Sequence, residues 1–405
     1  MKMTATAKQN SSLQKLAFTA TLAAVLVFGL LGCRQSVPVG DATGDGSSTS
    51  ESIVAVDADP VPTNESRRTR RAKYLPRLSQ YALFDGALAN LEPAAGVLPY
   101  DVNTPLFSDY AAKHRVVRLP DGVTVAYQPT DVFDFPVGTV LAKTFYYPHD
   151  MTQPGQGRRL IETRIMLHQP TGWIGLPYLW NDEQTDAMLS LTGGAVEVKW
   201  KHRDGRDRRN THLVPNFNDC KRCHENQKFE PIGPTAGNLN RDFDYTDGRE
   251  NQLRRWAEIG LLTGLPDSTQ VPRFAVWNDE ATGDLNARAR AWLDVNCAHC
   301  HSPIGPARNS GLHLHVGVAE PYRLGVYKTP VAAGRGTGGR LYDIVPGHPD
   351  ASILMHRLET DHVGEMMPEI GRSLVDEEGV ELIRQWIEAM EPAAVPATSP
   401  GSAGI

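Results

Sequence analysis

Two pentapeptides, Cys220-Lys221-Arg222-Cys223-His224 and Cys297-Ala298-His299-Cys300-His301, constrain this chain more than any other feature. Each sets two thiols and an imidazole side by side, so whatever they bind pins the local backbone. Four chemistries use such a pattern: a disulfide, a zinc site, a redox dithiol, or thioether attachment of haem. Two Cys-x-x-Cys pairs sharing one zinc ion are usually spaced by about 15 to 20 residues, whereas 73 residues separate Cys223 from Cys297. A thioredoxin-type dithiol wants a βαβ context and has no need of the histidine. Local disulfides leave His224 and His301 unexplained, twice. Covalent haem accounts for every residue, because the thiols add to vinyl groups along one edge of the porphyrin and the next histidine lies under the iron. The reading is therefore two haem c groups, attached at Cys220/Cys223 and Cys297/Cys300, with His224 and His301 as proximal ligands. His299 reads as a spacer facing outward.

Sixth ligands come next. "GEMMPEIG" offers Met366 and Met367 to the second iron. Met367 is preferred because Pro368 follows directly and stiffens the approach of the thioether, as in the distal loop of a class I cytochrome c. Pro303 or Pro306 would supply a carbonyl to His301. Between His224 and Cys297 there is neither methionine nor histidine. The first iron must take its sixth donor from the preceding region, where His202, His212, Met166 and His168 are candidates, or stay five-coordinate. An open iron can bind small molecules, whereas a six-coordinate one mainly passes electrons.

Lys2, Lys8 and Lys15 precede the apolar run "LAFTATLAAVLVFGLLG", which ends at Cys33. A basic stretch, an apolar core and small residues at the cut describe an export signal over 1–32. Leu30-Leu31-Gly32-Cys33 resembles a lipobox, which makes Cys33 the acylated first residue of the mature chain. The protein is then a lipid-anchored component of the cell envelope, facing the periplasm or the exterior. All five cysteines are assigned on this reading, as suits an oxidising compartment. Removing residues 1–32 loses three lysines and no acid, taking the formal charge from −6 to −9. An acidic surface argues against nucleic acid and for docking to a basic redox partner.

Residues 33–73 are Ser-, Thr-, Gly-, Asp- and Pro-rich and read as a flexible tether. Over 74–215 the pattern alternates as strands do. Val196, Val198, Trp200 and His202 share one face, and Ile161, Ile165 and Leu167 lie opposite Glu162, Arg164 and His168. An antiparallel β-rich domain, sandwich or barrel, is expected. Helical spacing begins beyond it: Leu253, Trp256 and Ala257 with Gly260 as C-cap, then Leu285 and Trp292. In the last helix Ser373 and Asp376 suggest a capping box, ahead of a stripe of Val380, Ile383, Trp386 and Ile387. The expected class is α+β: a β-rich domain, a first haem segment at 216–275, a class I cytochrome c-like domain at 276–391, and a disordered tail at 392–405. "PIGP" follows both pentads, at 231–234 and 303–306, which hints at two related haem modules.

The stretches "PYDVNTPLFSDYAAKHRVVRLP", "IETRIMLH", "YLWNDEQTDA", "CKRCH…PIGPTAGNLN", "NCAHCHSPIGPARNSGL" and "PGHPDASILMHRL…MMPEIG" together resemble a family of bacterial diheme c-type cytochrome lipoproteins. The resemblance runs over most of residues 78–390. It implies haem c at both pentads and supports Met367 through a C-terminal half like that of class I cytochrome c domains. It implies no distal residue for the first haem. The function expected is electron transfer at the envelope, membrane-tethered by lipid, between redox partner proteins. The alternative is a haem enzyme, peroxidase-like or oxidising a small substrate, that works at an open first iron. No catalytic triad, carboxylate pair or phosphate loop stands out.

Overall fold

The computed structural model describes residues 74–225, 228–331 and 334–392. The expected signal, Cys33, the tether and nearly all of the tail lie outside the described residues.

Strand-forming residues between 98 and 189 build a six-stranded antiparallel sheet in sequential order. Its strands are β1 (Leu98–Tyr100), β2 (Ala112–Arg118), β3 (Val140–Pro148), β4 (Arg158–Gln169), β5 (Gly172–Trp180) and β6 (Ala187–Leu189). Register aligns Val116, Ala142, Ile165 and Leu176 across one face. That face packs on Leu78, Leu83 and Leu91 from the preceding segment. A hairpin of β7 (Gly194–Lys201) and β8 (Asp207–Val214) follows, and its Val198 and Trp200 pack on Phe145 and Tyr147 of β3.

The first pentad forms a short helix, α1 (Asp219–His224). It lies against β5 at Gly175, where a Cβ would come within 3.1 Å of the Cys220 sulfur. Then come α2 (Ala236–Leu239), a hairpin of β9 (Asp242–Tyr245) and β10 (Gly248–Asn251), and α3 (Gln252–Glu258). Asn251 caps α3 by accepting from the Leu253 and Arg254 amides, and Gly260 follows at φ 74°. Leu239, Leu253 and Trp256 pack on Val117, Leu141 and Met166, the second face of the sheet.

Asp284 caps α4 (Leu285–Leu293), and a π-turn at Asp294–Ala298 leads into the second pentad. Helices α5 (Ile353–Glu359) and α6 (Glu377–Glu388) complete the C-terminal part. Trp292, Leu293, Leu358, Ile383, Trp386 and Ile387 share its core. Among the described residues no helix is long and apolar enough to cross a membrane.

The α+β class holds, with three corrections. The six-stranded sheet is an open meander rather than a barrel or a sandwich of two full sheets, since its edge strands stay unpaired with each other and its second face is covered partly by helical segments and partly by the β7–β8 hairpin. The polar side of β4 is interior: Glu162 is fully buried, with Arg164 of the same strand and His212 of β8 as its partners. The cap of α6 is Asp376, which accepts from the Gly379 amide. Ser373 instead donates its hydroxyl to Asp109, 2.7 Å away.

Candidate functional site

The two pentads, far apart in sequence, meet in space around two adjoining cavities. The larger, about 590 Å³, is bordered by Cys297, Cys300, His301 and Met367, with Leu312, Leu324 and Ile344 among its walls. That volume lies within the roughly 300–1,000 Å³ range of cofactor and ligand sites, and its apolar lining fits one. The smaller, about 140 Å³, is bordered by Cys223, His224, Met166, Lys143 and Arg164. Cys223, Asn296, His299, Leu358, Met367, Pro368 and Ile370 border both.

Each pentad histidine is fixed through one nitrogen. His224 Nδ1 donates to the Glu230 carbonyl at 2.7 Å, and the ring stacks on Phe229 with centroids 5.4 Å apart. A carbonyl only accepts, so Nδ1 carries the proton and Nε2 keeps its lone pair. His301 Nδ1 lies 3.0 Å from the Ser310 hydroxyl. That hydroxyl takes the place expected for a carbonyl of Pro303 or Pro306. Burial is the first cause that pushes His224 down to about 3 and His301 to about 4, so both rings are neutral and able to ligate. Burial likewise raises the thiols of Cys220 and Cys223, and takes Cys297 to about 12 and Cys300 to about 11. The Cys223 sulfur is the next cause acting on Cys300, a sign of how near the pentads lie.

The chemistry of these residues fits haem c at both pentads, and the larger cavity has the volume for such a group, whereas the smaller, at about 140 Å³, falls below the range of cofactor sites. Among the described residues no group of three or more His, Cys, Asp or Glu side chains could by itself hold a metal ion. One imidazole per pentad is instead what an iron already held by porphyrin nitrogens requires. Two glycines make the cradle. Gly175 admits Cys220, and a Cβ at Gly305 would strike the Cys300 carbonyl. Both "PIGP" stretches border a cavity, Pro231 to Pro234 the smaller and Pro306 the larger.

Of the four donors considered for the first iron, the three histidines border neither cavity. His212 is buried with Nε2 2.9 Å from Glu162 and Nδ1 3.2 Å from the Tyr147 hydroxyl. His202 accepts from Trp200 Nε1 at 3.4 Å and faces Glu378 at 3.4 Å. His168 donates to the Phe135 carbonyl at 2.7 Å and stacks on Trp173. Only Met166 borders the smaller cavity. His299 faces inward, contrary to the sequence expectation, and borders both cavities. Its Nδ1 is buried with no hydrogen-bond partner among the described residues, and burial is the first cause that holds the ring down to about 4.

Lys113, Arg115, Lys143 and Arg164 also border the smaller cavity, and sequence reasoning missed them. Alternate basic residues in "AKHRVVR" and "RLIETRIM" look like a solvated strand face unless the covering segment is known. Burial, then Arg164 and Arg115, brings Lys143 down to about 7. Burial also opposes the charge of Glu162, but Arg164 and His212 outweigh it and hold the carboxyl at about 2.

Comparison with protein-family models, with curated proteins and with solved structures returns no match for this chain.

Proposed function

We propose that the chain is a diheme c-type cytochrome that transfers electrons at the cell envelope, tethered through lipid on Cys33. The observation that carries this reading is the convergence of both Cys-x-x-Cys-His pentads on adjoining cavities, each with its histidine fixed at Nδ1. Haem c, when bound, supplies a one-electron couple. Cys220, Cys223, Cys297 and Cys300 would hold the two groups, and His224 and His301 would present Nε2.

Met367 serves the larger cavity, where its thioether favours a higher potential. His299 serves the smaller one in this reading, because its ring has a free nitrogen while Met166 is packed among Val117, Leu141 and Trp256. Groups held at the two cavities would lie side by side across their common walls, as internal relay requires. The C-terminal part, with α4, α5 and α6 around the larger cavity, is read as the class I cytochrome c-like domain. An acidic mature surface suits brief, salt-sensitive docking to a basic partner protein.

The four cations at the smaller cavity favour a second reading, a haem enzyme that draws a small anion to the first group. One experiment tests both. Mature protein from a host that matures cytochromes is weighed, and its oxidised visible spectrum is taken with and without cyanide. Mass for two porphyrins and a spectrum indifferent to cyanide are expected. No added mass at the four thiols overturns the haem reading, and a cyanide shift in the wild type favours the enzyme.

A further inference from the structure

One row of the sheet is cationic on three adjacent strands. Arg115, Lys143 and Arg164 stand directly opposite one another on β2, β3 and β4. Val117, Leu141 and Met166 form the next row on the same face, and Phe145 stands on the other side with Lys113 opposite it. Lys113, Lys143 and Arg164 crowd the Phe145 ring, at 5.6, 5.2 and 4.3 Å from its centroid. Like charges directly opposite on neighbouring strands repel. All four cations border the smaller cavity.

Three carboxylates are on hand and each is engaged: Asp376, which also borders the cavity, accepts from Trp292 Nε1 at 3.0 Å and from the Gly379 amide at 3.1 Å. Asp101 meets Arg115 at 2.5 Å and Arg241 at 3.3 Å. Glu162 takes two hydrogen bonds from Arg164, at 2.9 and 2.6 Å, and lies 2.9 Å from His212. Lys113 donates to the Ala111 carbonyl at 3.0 Å. Lys143 has no carboxylate at ion-pair distance among the described residues. Buried cations are normally paired, and burial holds Lys113 well below its ordinary pKa and Lys143 at about 7. Two lysines are left over, facing about 140 Å³ of space, several times the 10–15 Å³ that one water needs.

We infer that Lys113, Arg115, Lys143 and Arg164 form a seat for a carboxylate or other small oxyanion in the smaller cavity. The two lysines are point charges that rotate to suit it, while the guanidiniums are held in place by their carboxylates. Two sources supply such a group. One is the carboxylate edge of the porphyrin fastened at Cys220 and Cys223, which rests on the haem reading. The other is a free oxyanion, which does not.

Formate is the probe, titrated calorimetrically into the mature holoprotein and into Cys220→Ser/Cys223→Ser protein, each weighed for porphyrin. In at least one of them formate binds, and Lys143→Met weakens it at least tenfold while Lys143→Arg and the exposed control Lys199→Met do not. Binding to both proteins assigns a free oxyanion. Binding only where the first porphyrin is missing assigns the porphyrin carboxylates. Lack of Lys143-dependent binding in either overturns the seat, whatever the porphyrin mass; lack of porphyrin mass overturns the haem reading alone. Should the double serine variant not fold, infrared difference spectra of the holoprotein on reduction replace it. Carboxylate bands shifted by Lys143→Met support the seat, and unshifted bands with no formate binding overturn it.

Discussion

Arg222, inside the first pentad, lies 3.6 Å from Glu369, two residues beyond Met367. The pair ties the helix of one pentad to the Met-Pro loop that borders the other's cavity. Both side chains are about half exposed, so Arg222→Ala is expected to change stability by less than about 1 kcal/mol. Urea unfolding measures it. A larger loss would mean that the pair holds the two sites together rather than marking where they meet.

Gly175→Val should unseat the first pentad selectively. A Cβ at 175 already comes within 3.1 Å of Cys220 Sγ and 3.3 Å of Phe229, and two further methyls cannot be absorbed beside α1. Mass analysis of the matured variant is expected to find porphyrin mainly at Cys297/Cys300. Equal loading of both pentads would refute this role of Gly175.

Glu162→Gln removes the carboxylate that serves both Arg164 and His212, leaving a buried cation without its partner. A loss of about 3–5 kcal/mol is expected in chemical unfolding. The sign with pH follows from the carboxyl being held at about 2 against an ordinary 4.5. Its stabilisation is fully present above 4.5 and is lost as pH falls from there through about 2. The wild type should therefore weaken over that window more steeply than the variant.

His299→Ala should open the first site. The variant is expected to take up cyanide with a change in visible spectrum that the wild type lacks, and Met166→Leu should behave like the wild type. A cyanide response in Met166→Leu alone would transfer the sixth position to the thioether. At the larger cavity, Met367→His should lower one midpoint potential, since a thioether raises it.

Formate affinity at the cationic row should fall as pH rises through about 7, where Lys143 sheds its proton. The charged and titratable groups facing it are Tyr100 on β1, Lys113 and Arg115 on β2, Glu162 and Arg164 on β4, Cys223 and His224 on α1, His299, Arg372 and Asp376. Glu162 keeps its charge across this range and the arginines keep theirs. Calorimetry between pH 6 and 9 measures the slope, and Lys143→Arg should reduce it to what Lys113, also lowered by burial, contributes.

Spacing alone located the residues of the proposed haem sites. Two Cys-x-x-Cys-His runs, a Met-Pro after the second, and strands before helices are local patterns, and each follows from covalent geometry or from a period of two or 3.6 residues. Trp200, Trp256 and Ile383 lie in the core as their periodicity requires. What only the tertiary structure decided is which polar residues are interior. Arg115, Lys143, Glu162 and Arg164 carry the alternation of a wetted strand face. Arg115, Lys143 and Arg164 line a cavity and Glu162 is fully buried beside them, because segments distant in sequence cover that face, and no local period records what will cover it. His299 likewise looked like a spacer, and it turned inward because the first pentad packs beside the second. Whether a side chain meets water or another segment is fixed by long-range packing, and there the reading of the sequence ended.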